Sequence, residues 1–295
     1  MNRILFGDNQ FFGVNHISDE KSRLQALHFK NNSAILTVID HARENDINTF
    51  MCTTHDRISS IADIIRQNPF TYQDFIMYPC MPYAHKYANA ITEFGMLGAI
   101  QQYMPGNFLT TIFKGGKAFI IKDYISLMKI FIDTEMKMFN GIDTPVIFLQ
   151  NIVTDLLLGL NMIEVLKEFN DYIKMKYNAE AGFISMNMPL LLEKLESAGV
   201  FNPIICTSIN KIGFRMSGGK DLYEHTLKNK NVRVIAMQVL AGGTIAIPEA
   251  IEYVCKLPNI ESILFGASTQ KNISHTVSLI KYYDKMYSTQ PELIF

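Results

Sequence analysis

Short apolar runs alternate with longer stretches of helical periodicity along most of the chain. The runs 4–6, 48–52, 75–78, 146–149, 182–185, 204–207, 232–237 and 262–265 each read as a strand. Pro79 reads as the stop of the third. Between the first two, Ile35, Val38, Ile39 and Ala42 share one face of a helix over about 33–45, with Ser33 as its cap. The segments 58–67, about 162–177 and 189–197 give further helices, the last opened by Pro189 and ended by Gly199. Strands that alternate strictly with helices run parallel and are covered on both faces. Eight of them predict a single α/β domain over 1–295, a closed (β/α)8 TIM barrel. An open doubly wound sheet is the other arrangement. It would carry a GxGxxG phosphate fingerprint after an early strand, and the chain has none.

One segment breaks the alternation. The stretch over about 83–143 is too long for a loop and one helix. It contains a helical pattern over roughly 122–139, rich in Phe, Ile and Met. The plain reading is an inserted helical elaboration packed on the barrel wall; a substrate lid or a dimer surface, and with it a homo-oligomer, is the sharper one. Residues 94–113 are uncharged, but Gln101, Gln102, Pro105, Gly106 and Asn107 interrupt them, so they read as a helix and a turn rather than a membrane span.

Composition narrows the class. Of 295 residues, 48% are hydrophobic and 19% charged, enough apolar chain for a large core and too little charge for disorder. The net charge of −1 supplies no basic field for nucleic acid or anionic membrane, which leaves a small-molecule substrate as the expected partner. Cys52, Cys80, Cys206 and Cys255 are far apart with no CxxC pair, so neither a zinc knuckle nor a disulfide framework is indicated. That usage fits a reducing compartment. The apolar stretch near Met1 is too short for a signal peptide, and a cytoplasmic location is expected.

In a barrel of this kind the chemistry lies on the loops past the C-terminal ends of the strands. Those loops carry Asp8, Asn9, Gln10, Asn15 and His16; Thr53, Thr54, His55, Asp56 and Arg57; Cys80, Tyr83, His85 and Lys86; Gln150, Asn151 and Asp155; Asn187; Ser208, Asn210, Lys211 and Arg215; Gln238; and Ser268, Thr269 and Asn272. Single Asn, Asp and Ser residues there serve equally well as turn formers and caps. His55 beside Asp56 is a natural acid–base pair, because a carboxylate fixes the imidazole tautomer and supports its cation. His16 and Lys211 join them as catalytic candidates, with Asp8, Asn15, His85, Gln150 and Asn151 as substrate contacts. Asp8, Asn15, His16, His55, Asp56, Gln150, Asn187 and Lys211 are expected to share one cleft. His16, His55, His85 and Asp56 could converge on a metal, but no spaced ligand motif supports this, and none is expected. Small residues after the last two strands, Gly242 and Gly243, then Gly266, Ala267, Ser268 and Thr269 with Asn272, let backbone N–H groups approach an anion, and Lys271 could add charge. Tight turns are the alternative reading.

Several of these segments resemble one family. The run 234–243 is similar to the strand-seven segment of the aldo-keto reductase superfamily, and 261–273 to its strand eight and cofactor-phosphate loop. Residues 182–187 are similar to its strand five, and 47–50 to the start of its strand two. The resemblance implies an NADP or NAD cofactor. Ser185 and Asn187 would hold the nicotinamide amide. Gln238, Gly242, Gly266, Ala267, Ser268, Thr269 and Asn272 would line the rest of the cofactor site. The family's catalytic Asp, Tyr, Lys and His fall on Met51, Asp56, Pro79–Cys80 and Gln150, and its stacking aromatic on Met237. The implied activity is an NAD(P)-dependent oxidoreductase with a rebuilt acid–base set, His55 donating the proton. The alternatives are a non-redox lyase, isomerase or epimerase acting on a phosphorylated or nucleotide-linked, sugar-like substrate through His/Asp chemistry, and a non-catalytic barrel. The polar rim argues against the last.

Overall fold

A computed structural model describes residues 1–13, 19–83 and 124–289. Its strands are β1 (Ile4–Gly7), β2 (Thr49–Thr53), β3 (Ile76–Met81), β4 (Val146–Leu149), β5 (Glu180–Ser185), β6 (Ile204–Ser208), β7 (Arg233–Met237) and β8 (Ile260–Phe265). They close in sequence order into a barrel, every neighbour parallel and β8 returning to β1. The described helices are α1 (Asp19–His28), α2 (Asn32–Arg43), α3 (Asp56–Gln67), α4 (Tyr124–Met136), α5 (Asn151–Gly159), α6 (Ile163–Tyr177), α7 (Met188–Ser197), α8 (Lys220–Asn229), α9 (Ile247–Cys255) and α10 (Gln270–Thr289). Among the described residues no helix is long and apolar enough to cross a membrane.

Strand side chains alternate between two cores, as a period of two requires. Leu5, Met51, Tyr78, Cys80, Phe148, Ile184, Cys206 and Ile235 fill the barrel interior. Phe6, Phe50, Met77, Ile147, Phe183, Ile205, Val234 and Ile263 point outward beneath the helices. Phe148 and Gly182 are register partners, and a Cβ on Gly182 would come within 2.2 Å of the Phe148 ring. The phenyl ring occupies the space that a side chain on β5 would need.

Three local expectations need correction. Pro79 does not end the third strand, which continues to Met81. The N–H groups of Ile76 and Met77 reach opposite neighbours, Asn48 O at 2.8 Å and Asp143 O at 2.9 Å. By that alternation the N–H that Pro79 lacks would face β4; β3 bridges Asp143 at Ile76 and pairs with β4 again from Cys80, so the ladder is interrupted at the proline and resumes beyond it. Asn31, not Ser33, is the N-cap of α2, and the helix ends at Arg43. A further helix, α5, follows β4 directly, separate from α6.

The helical pattern over 122–139 is present as α4, which packs on the barrel wall. Ile132 and Met136 are buried. Asp133 accepts hydrogen bonds from Tyr172 at 2.8 Å and Tyr177 at 2.6 Å, and Lys129 pairs with Glu168 at 2.6 Å, tying α4 to α6. The uncharged stretch 94–113 lies outside the described residues.

Arg3 joins β1 to α10 and to the start of β8. Its Nε and Nη2 donate to the two carboxylate oxygens of Asp284 at 2.8 and 2.7 Å, and Nη1 donates to Ile260 O at 2.5 Å. Bidentate, charge-assisted pairs of this kind are the stronger class of hydrogen bond. Arg3→Met is expected to lower stability by about 1–3 kcal/mol, read as a lower urea midpoint at unchanged m-value. An unchanged midpoint would show that the pair does nothing for the barrel seam.

Candidate active site

The C-terminal ends of the strands open into a cavity of about 790 Å³. Its floor is the top of the barrel interior: Met51, Cys80, Ile184, Cys206 and Leu264. The thiols of Cys80 and Cys206 are pushed well up by burial, so they sit there as neutral apolar groups. The walls mix polar and apolar side chains and come from separate loops. Asp8, Asn9, Gln10 and Phe12 follow β1; Gln150 and Asn151 follow β4; Phe214 and Arg215 precede α8; Gln238, Gly242 and Gly243 follow β7; Gly266, Ala267 and Ser268 follow β8; and Asn272 belongs to α10.

Asp8 is the carboxyl of this cavity. β1 turns sharply into a 3-10 segment, Asn9–Phe12, which Gly13 ends in the left-handed conformation (φ 66°). That turn leaves Asp8 only 5% exposed. Its Oδ2 accepts both the N–H and the hydroxyl of Thr53, each at 2.7 Å. Burial raises the Asp8 pKa, and the two Thr53 bonds offset only part of the rise. Gln10, also 5% exposed, donates to Gly7 O at 2.8 Å. Its Oε1 sits against Gly266, where a Cβ would approach to 2.1 Å.

The expected cluster is divided by the fold. Asp8, Gln150, Asn151, Gln238, Gly242, Gly266, Ala267, Ser268 and Asn272 share the cavity. Gln238 accepts from Ser208 Oγ at 2.7 Å. Thr269 stands just outside the lining, its Oγ1 accepting from Asn272 N at 3.3 Å in the first turn of α10. His55 does not line the cavity. It caps α3, its Nδ1 accepting the Arg57 N–H at 3.0 Å, and its ring stacks on Phe12 at 4.2 Å. Nδ1 is thereby an acceptor bound to a backbone amide, and Asp56 is exposed on the first turn of α3. Lys211 is exposed and pairs with Glu249 at 2.6 Å. Asn15, His16 and His85 lie outside the described residues. Among the described residues no group of His, Cys, Asp or Glu stands close enough together to hold a metal ion.

Ser185 and Asn187 are also turned away. Ser185 is fully buried; its hydroxyl donates to Asp155 Oδ1 at 2.6 Å and accepts the Asn187 N–H at 2.9 Å. Asn187 caps α7 through Leu190 N at 3.4 Å. Met186, between them, faces the cavity instead. Its N–H donates to Asp155 Oδ2 at 3.1 Å, and its carbonyl accepts the Tyr223 hydroxyl at 2.7 Å. Strand parity carries this signal in the sequence: Gly182 and Ile184 face inward, so Ser185 faces outward. Phe12, Met186 and Phe214 are wall residues that the loop inventory passes over, because polarity guided it and they are apolar.

No family model matches the sequence, and no curated protein does. Solved structures do. A Pseudomonas aeruginosa protein described as an aldo-keto reductase superposes with a TM-score of 0.59 at 11% identity, covering 96% of this chain and 91% of its own. The fold is that of the aldo-keto reductases. An aldo-keto reductase from Bacillus halodurans in its holo form gives 0.55 at 10% identity, over 95% and 86% of the two chains. One from Klebsiella pneumoniae in complex with NADPH gives 0.51 at 9%, over 97% and 91%. At such identity the shared property is the barrel. In this chain Gly242 and Gly243 after β7 and Gly266 after β8 line the cavity, and the space beside Gly243 is empty. Met186 and Met237 also line the cavity.

Proposed function

We propose that the chain is an NAD(P)H-linked oxidoreductase acting on a small carbonyl compound or the matching alcohol, with Asp8 as its proton donor and acceptor. The bound dinucleotide would supply the hydride. The observation that carries the reading is the buried Asp8 carboxyl at the wall of a barrel-mouth cavity, its pKa raised by burial. A carboxyl that keeps its proton to higher pH than a free one can protonate a developing alkoxide. Thr53 holds one oxygen of that carboxyl in place. The apolar floor of Met51, Ile184, Cys206 and Leu264 keeps bulk water from the reacting carbon. His55, behind Phe12, supports the wall rather than the chemistry.

The test is a fluorescence titration with NADPH and with NADH. Ser268 lines the mouth beside Gly266, so Ser268→Glu sets a negative charge against the dinucleotide phosphates and is expected to weaken binding by about tenfold or more. Met237, at the position of the family's stacking aromatic, favours a second reading, a non-redox lyase, isomerase or epimerase using the same carboxyl on a phosphorylated sugar. Binding of a sugar phosphate with no binding of either dinucleotide would replace the first reading by the second.

A further inference from the structure

The loops after β6 and β7 hold a concentration of backbone strain. Among the described non-glycine residues with left-handed backbone, Asp46, Asn161, Asn178, Asn202 and Asn259 are Asp or Asn, which tolerate it. The others are Arg215 (φ 54°), Gln238 (φ 54°) and Ala241 (φ 47°), and all three stand on these two loops. Such conformations are costly and persist where the surroundings impose them.

At Arg215 the imposing group is visible. Asn210, fully buried, donates from Nδ2 to Phe214 O and accepts Phe214 N–H at Oδ1, both at 2.8 Å. The backbone is thereby fixed one residue before Arg215. The guanidinium carbon lies 5.5 Å from the centroid of the Phe214 ring, a cation–π distance. Both residues line the cavity. Among the described lining residues Arg215 is the one cation and Asp8 the one carboxyl. Arg3 and Arg233, by contrast, are held by Asp284 and by Glu180 and Glu261 at the opposite end of the barrel, where the strands begin. No described carboxylate takes that role for Arg215. Arg215 follows β6 and Asp8 follows β1, with β7 and β8 between them around the ring, so a ligand touching both spans the barrel mouth.

We infer that the substrate carries an oxyanion, a carboxylate or a phosphate, which Arg215 holds while the reacting carbon lies at Asp8. A guanidinium presents paired donors that match such a group. The inference rests on the cavity being the substrate site, as proposed above, and not on the reaction being redox.

Two probes of the same size separate charge from shape: 4-carboxybenzaldehyde and its neutral amide, 4-carbamoylbenzaldehyde. Calorimetric titration of the full chain is expected to show the carboxylate binding about tenfold tighter than the amide. Arg215→Gln removes that preference and leaves the affinity for NADPH unchanged; Arg215→Lys, which keeps the charge, retains part of the preference. Equal binding of the two probes to the wild-type chain, no binding of the carboxylate at millimolar concentration, or a preference that survives in Arg215→Gln overturns the inference. So does a loss of NADPH affinity in Arg215→Gln with the probe preference intact, since Arg215 would then serve the dinucleotide phosphates. If the preference depends on Arg215 and NADPH does not bind the wild type, the oxyanion site stands and the redox reading falls.

Discussion

Asp8→Asn is expected to lower turnover by about a hundredfold to ten-thousandfold while leaving the fold intact, the range for removing a positioned general acid–base. The substitution is isosteric, and a carboxamide oxygen can still accept the two bonds from Thr53. The wild-type pH profile should identify the same group. Carbonyl reduction needs Asp8 protonated, so the rate falls as pH rises through its folded pKa, which burial sets above the ordinary carboxyl value. Stability follows the same titration. A raised folded pKa contributes stability that is fully present below the unfolded pKa and is lost as pH rises through the folded one. Above that range the buried carboxylate is a burden that asparagine does not carry. Asp8→Asn should therefore melt at or above the wild-type temperature at neutral and alkaline pH, with the gap closing as pH falls. A variant with full turnover would remove Asp8 from the chemistry. One that melts well below wild type at every pH would make Asp8 a structural residue.

Gly182→Val is expected to destabilise the chain by about 3 kcal/mol or more, toward insolubility at ordinary growth temperature. The cause is local. The new Cβ falls 2.2 Å from the Phe148 ring, and Phe148 is fully buried inside the closed barrel, so the ring cannot swing away without displacing other interior side chains. Urea denaturation measures the loss. The double variant Gly182→Val with Phe148→Leu tests the mechanism, because a smaller partner should restore part of the stability. A double variant no more stable than the single one would place the cost elsewhere.

The barrel is legible in the sequence because parallel strands buried on both faces leave continuous apolar runs, and helices between them leave a different period. The fourth run, 146–149, coincides with β4. The third run reads as ending at Pro79, because the sequence does not show which neighbour a given N–H faces, and β3 continues to Met81. The glycines after β7 and β8 are legible for a related reason: Gly242 and Gly243 have left-handed backbone, and Gly266 leaves the space that Gln10 fills. The catalytic cluster was less so. His55 and Asp56 have the composition of an acid–base pair, but a histidine before a helix can spend its ring nitrogen on a backbone amide, and here it does. Lys211 shares a loop with Arg215 yet faces Glu249 on the outer surface; loop sequence alone does not say which side a long cation takes. Asp8 was visible as a polar residue past the first strand, but its burial depends on Thr53 closing over it from the next strand.

Gln10 sits wedged against Gly266, two residues after Asp8. The side chain of Gln10 is therefore the contact between the β8 loop and the turn that holds the carboxyl. In thermodynamic terms, a ligand at the loop that shifts the proton affinity of Asp8 would itself be bound with an affinity that the charge on Asp8 shifts by the same factor. Ligand binding on one side of the mouth and proton uptake on the other then become a single measurable quantity, the number of protons exchanged with buffer when the loop is filled.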